Sequence, residues 1–85
     1  MEMLIHFNAL PQGLTLDAMK SDLALLLEDD GWLTGSGENH IELELEDEKV
    51  NPKYGILTVK GYLQKAKFAP DTTIELAGVP VGIYE

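Results

Sequence analysis

Within residues 40–47, apolar Ile41, Leu43 and Leu45 alternate strictly with polar His40, Glu42, Glu44 and Glu46. Side chains along a strand point to opposite sides with period two. The segment therefore predicts a strand with one buried and one wet side. Such a strand belongs to a sheet covered on a single face, as antiparallel and mixed sheets are and all-parallel sheets are not. The chain of 85 residues suffices for one domain, spanning residues 1–85. It contains no cysteine, which excludes disulfides, thiol catalysis, zinc ribbons and iron–sulfur clusters. An apolar core has to supply the stability.

The other elements are read in the same way. Residues 3–8 predict a first strand, with Met3, Ile5 and Phe7 on one side and Leu4 and His6 on the other. Pro11-Gln12-Gly13 is a turn, and Thr15 is an N-cap type of residue. Asp17 follows where a helix dipole favours an anion, and Leu16, Met19, Leu23, Leu26 and Leu27 recur at helical spacing, so a helix is expected up to Asp29-Asp30-Gly31. Residues 32–36 predict a short second strand, and Gly35-Ser36-Gly37 a loop. Residues 54–62 admit two readings. Their β-branched and aromatic residues and two glycines favour a strand. Asn51-Pro52 as N-cap and first helical residue favours a helix, as do Ile56, Val59, Leu63 and Ala66 on one helical face. The helix is preferred. Residues 72–76 and 79–84 predict two further strands joined at Ala77-Gly78.

The order β-α-β-β-α-β followed by a hairpin strand implies an α+β fold: a ferredoxin-like split β-α-β sandwich with both helices on one sheet face. The alternative places a strand at residues 54–62 and leaves one helix against a longer meander.

Charge is the feature that bears on function. Residues 1–48 hold twelve carboxylates and one lysine, residues 49–67 five lysines and no carboxylate, and residues 68–85 three carboxylates, for a net charge of −9. Phosphate binding requires cations that displace condensed counterions, so with six lysines and no arginine no nucleic-acid ligand is expected. The opening residues lack the basic and apolar regions of a signal peptide. The longest apolar stretch, residues 23–27, is about a quarter of a membrane span. A mature, cytoplasmic protein without a membrane partner is expected.

Glu42, Glu44 and Glu46 should line the sheet face that the helices leave bare. Neighbours there lie about 7 Å apart and repel by about 0.6 kcal/mol per pair in water. That is tolerable while the face stays wet or meets cations. With Asp47 and Glu48 the run reaches five carboxylates in seven residues, a field that speeds association with a basic protein and is weakened by salt. His6 is expected on the same face near Glu42 or Glu44, with Trp32 as an aromatic anchor at its edge. A flat strand face spaces His6, His40, Glu42 and Glu44 too widely for a closed metal shell. No carboxylate is paired with a pocket, no base stands beside Ser21 or Ser36, and the glycines fit no phosphate-binding motif. The expectation is a non-enzymatic protein-interaction module without cofactor or metal, whose partner is basic. Self-association through Leu4 and the hairpin arm would make a homodimer.

Pro11-Gln12-Gly13-Leu14 leading into a helix resembles the start of ACT-type regulatory domains, over four residues and with one extra residue between proline and glycine. That resemblance implies the βαββαβ topology and an amino-acid ligand bound near the turn between two copies. It is the alternative function.

Overall fold

The computed structural model describes residues 1–28, 30–48 and 51–84. Expectations placed on Asp29, Lys49 and Glu85 lie outside the described residues. The element order is β1 (Glu2–His6), α1 (Leu16–Leu27), β2 (Gly31–Ser36), β3 (His40–Leu45), α2 (Pro52–Lys65), β4 (Thr73–Leu76) and β5 (Val79–Gly82). The fold class is α+β.

Both helices begin where side chains cap them. The Thr15 hydroxyl accepts the Ala18 N–H at 3.1 Å, and Asn51 Oδ1 accepts the Lys53 N–H at 3.0 Å. Each cap satisfies a backbone donor that the first helical turn leaves without a partner. Residues 54–62 are helical, which removes the strand alternative. The reason the two glycines do not prevent it is local. A Cβ on Gly55 would stand 2.9 Å from Leu45 Cδ2, so the bare position lets α2 lie close against β3. At Gly61 the corresponding space is open, with no atom within 4 Å.

The five strands form one sheet in the order β2-β3-β1-β4-β5, and every neighbouring pair is antiparallel. The C-terminal hairpin strand is thus part of the sheet and forms its edge beyond β4, so the element order is β-α-β-β-α-β-β. The β4–β5 turn places Ala77 and Gly78 at φ 51° and 84°, the left-handed geometry that tight hairpins adopt. Beyond β5, Ile83 is buried and its carbonyl accepts from Gln64 Nε2, while the Tyr84 hydroxyl donates to the Phe68 carbonyl at 2.7 Å. These contacts tie Ile83 and Tyr84 to α2 and to the segment just after it.

One side of the sheet holds the core. Met3, Ile5, Ile41, Leu43, Leu45 and Ile74 pack there with Met19, Leu23 and Leu27 of α1, Val59 and Leu63 of α2, and Phe7, Phe68 and Ile83. Both helices therefore cover the same face, since their buried residues meet the same strand positions. Phe7 and Phe68 meet edge-on, with ring centroids 5.9 Å apart. Leu26, expected with the core residues of α1, is instead 47% exposed. It lies on the outer side of the helix, a quarter-turn from Leu27, because the sheet admits only the stripe of Met19, Leu23 and Leu27. Among the described residues no helix is long and apolar enough to cross a membrane.

Candidate functional site: the bare sheet face

The strand positions that alternate with the core residues form the opposite face. Its composition follows from the pairing register, which lays the side chains out in rows across the sheet. The first row runs Trp32, Glu44, Glu2; the second Gly35, Glu42, Leu4, Glu75, Pro80; the third His40, His6, Thr73, Gly82. Four carboxylates, Glu2, Glu42, Glu44 and Glu75, thus share one uncovered surface with Leu4 and Trp32.

The middle row has a shape as well as a charge. Glu2, Leu4, Glu75, Ala77 and Gly78 line a shallow depression of about 250 Å³. Leu4 is its apolar floor and two carboxylates are its walls. Glu42 and Glu75 flank Leu4 from the two neighbouring strands, and strands lie about 4.8 Å apart. The two carboxylate stems thus stand about 10 Å from one another across the leucine. An apolar stem with a cationic head, as lysine and arginine have, matches that arrangement.

The glycines of β2 and the following turn allow the neighbouring polar side chains to lie flat. A Cβ on Gly35 would collide with the Glu42 carboxylate, and one on Gly37 would stand 2.8 Å from His40 Nδ1. Of the expected loop Gly35-Ser36-Gly37, the first two residues belong to β2, which has a bulge between Leu33 and Gly35, and Gly37 follows the strand. The bare positions at Gly35 and Gly37 make room for Glu42 and His40.

One cation already sits at the rim. The Met1 amino group donates to Glu44 Oε1 at 3.0 Å, to the Leu45 carbonyl at 2.9 Å and to Asp47 Oδ2 at 3.2 Å. The hydrogen bond to Glu44 raises the amino pKa above its ordinary value of 8.0 against the opposing effect of desolvation, with Asp47 adding to the rise. The same contact offsets the repulsion expected between Glu2 and Glu44, which stand directly opposite one another.

Of the sequence-predicted residues, the register brings His6, Trp32, Glu42 and Glu44 onto this face. Glu46 departs from it. β3 ends at Leu45, the Glu46 N–H donates to the Asp30 carbonyl at 2.8 Å, and its carboxylate accepts the Glu48 N–H at 2.7 Å. His6 also differs from expectation: it stands opposite His40, with ring centroids 6.4 Å apart, and its Nε2 lies 3.8 Å from Glu75 Oε2 rather than beside Glu42 or Glu44. Glu2 and Glu75 join this face without having been expected there, and Leu4 stands where the alternation placed it, on the side of His6. The period-two signal marks them too, since Met3 and Ile5, and Ile74 and Leu76, alternate with them. Trp32 is half exposed at 51%. Among the described residues no three histidine or carboxylate side chains are grouped to hold a metal ion.

The sequence matches no family model, and neither a curated protein nor a solved structure matches it.

Proposed function

We propose that this chain is a non-catalytic interaction module whose bare sheet face receives the basic surface of a protein partner. The observation that carries the reading is Leu4 on the uncovered face, flanked in its row by Glu42 and Glu75 and lining a shallow depression with Glu2 and Glu75. Carboxylates on a solvated strand alone need no partner. A leucine held between them on an uncovered face, with a half-exposed tryptophan one row away, supports a surface that takes lysine or arginine stems. Binding there would relieve the mutual repulsion of Glu2, Glu42, Glu44 and Glu75. The strand order β2-β3-β1-β4, with both helices on one side, supports describing the scaffold as a ferredoxin-like sandwich extended by β5.

An octa-arginine peptide serves as the probe. The variant Glu2→Gln/Glu42→Gln/Glu75→Gln removes three charges from the face. The variant Asp17→Asn/Glu28→Gln/Glu38→Gln removes three from elsewhere, so the two have equal net charge. The face variant should lose most of the affinity and of its salt dependence, and the control should keep both. Equal losses in the two variants would reduce the effect to net charge and refute the reading.

A second reading, an ACT-like amino-acid sensor, rests on the Pro11–Leu14 turn. There Gly13 has φ 85° and no atom stands within 4 Å of where its Cβ would be. It predicts a rise in Tm with one member of an amino-acid panel, about 2.7 kcal/mol of stabilisation at 100 times Kd. The absence of any rise would refute it.

A further inference from the structure

The helix layer turns a second, chemically different surface to solvent. α1 and α2 enclose a groove of about 390 Å³ lined by Asp22, Leu25, Leu26, Thr58, Gly61, Tyr62 and Lys65. The flanking apolar side chains point away from the core: Leu25 is 73% exposed, Leu57 54% and Tyr54 63%. The Tyr62 hydroxyl donates to Asp22 Oδ2 at 2.9 Å across the groove, which puts these two residues at the same height along the helices. Gly61 adjoins Tyr62 at nearly that height, and one turn further along Leu25 and Leu26 of α1 stand near Thr58 of α2. Gly61 costs a helix interior about 1 kcal/mol relative to alanine, yet nothing in this chain fills the space beside it.

The signs of the two helices differ. α1 and its C-cap carry Asp17, Asp22 and Glu28 against Lys20, while α2 carries Lys53, Lys60 and Lys65 and no carboxylate. The bare sheet face, with one sign, repels a copy of itself. The helix layer has one rod of each sign with leucines between them, and its best complement is the same layer turned over.

We propose that the outer face of the helix layer is a two-fold interface between two copies of this chain, with α1 of each copy lying over α2 of the other. A two-fold axis running along the groove gives that pairing, and the contact is isologous. It brings Leu25 of one copy within a turn of the open space at Gly61 of the other, and Asp22 within a turn of Lys65, each twice. The other face-to-face choice, an axis across the helices, lays α1 on α1 and α2 on α2. It confronts like charges and brings no leucine of α1 to the space at Gly61. Closure by two-fold symmetry ends the assembly at a dimer, with both acidic sheet faces outward.

The test uses the full chain at low salt. Sedimentation equilibrium should show a dimer for the native sequence and for the sheet-face variant Glu42→Gln/Glu75→Gln. The dimer should be lost on Leu25→Glu, which alters a side chain already in solvent, and on Gly61→Leu, which fills the receiving space. Circular dichroism of both variants should remain native. The chain has no cysteine, so orientation can be read by cross-linking. A mixture of Leu25→Cys and Gly61→Cys chains should form the mixed disulfide in preference to either homodisulfide. A native chain that stays monomeric, a dimer that survives both groove substitutions, or a preference for the Leu25→Cys homodisulfide would each overturn the proposal. None of these outcomes bears on the sheet face, whose reading stands or falls on the arginine probe.

Discussion

Alanine at two positions of the same helix should have opposite effects on stability. At Gly61 no atom lies within 4 Å of a new Cβ, so the substitution meets nothing and recovers the helix propensity that glycine forfeits. The gain should be about 0.8–1 kcal/mol, which for a domain of this size is a rise in Tm of about 4–8 °C per kcal/mol. At Gly55 the new Cβ would stand 2.9 Å from Leu45 Cδ2 and 3.5 Å from Cδ1. Carbon atoms pack at about 3.5–4.0 Å, so Leu45 or the helix has to move by about 0.6–1 Å. Leu45 is 1% exposed and belongs to the close-packed core, where it has little room to yield. Overpacking of this kind costs about 1–3 kcal/mol. Against a propensity gain of at most about 1 kcal/mol, Gly55→Ala should be neutral to destabilising by about 2 kcal/mol. Urea denaturation followed by circular dichroism reads both changes, in a Leu25→Glu background so that self-association does not enter. If Gly61→Ala destabilised the protein, or the two variants shifted the midpoint alike, the placement of α2 against β3 would be wrong.

Three further expectations follow from single contacts. Thr15→Ala removes the acceptor of the Ala18 N–H and should cost about 1 kcal/mol, whereas Thr15→Ser should cost much less in the same urea titration. Thr72 is buried and its hydroxyl has no hydrogen-bond partner, so Thr72→Val should stabilise by about 1 kcal/mol, and a loss of that size would contradict the burial. Tyr62 has its pKa pushed up to about 12 from 10.0, first by burial and then by its hydrogen bond to Asp22. The folded state therefore holds the phenolic proton more tightly than the unfolded chain does. That contribution is complete below pH 10 and is lost as pH rises towards 12. Tyr62→Phe should show a shallower loss of stability over that window, and parallel pH profiles would count against the Tyr62–Asp22 contact.

The parts of the fold legible in the sequence were those set by local periodicity and by caps. The alternation around Ile41, Leu43 and Leu45 identified β3 and its wet side. Thr15 and Asn51 located both helix starts. The identity of α2 was harder, because its two glycines argue against a helix on propensity. The packing of Gly55 on Leu45 and the open groove at Gly61 are tertiary facts that no local pattern carries. The bare face was legible in part. Glu42 and Glu44 announced themselves by alternation, but Glu75 reaches the site only through the pairing of β4 with β1, across about seventy residues of chain. Glu46 shows the opposite error. The alternation runs on past Leu45, whereas the strand stops there as the backbone turns to meet Asp30. The outward leucines of α1 were hidden for a simpler reason: Leu23 to Leu27 is nearly all leucine, and a run so apolar does not reveal which of its sides faces the sheet.

Where a cationic side chain lands decides whether the bare sheet face is a docking surface. Titrating the isotope-labelled chain with octa-arginine and following backbone amide shifts by NMR locates that contact directly. The largest shifts should fall on Glu2, Leu4, His6, Glu42, Glu44 and Glu75, together with the Trp32 indole N–H, and should fade as salt is added. Shifts centred on Asp17, Asp22 and Glu28 of the helix layer, or spread evenly over every carboxylate, would contradict it.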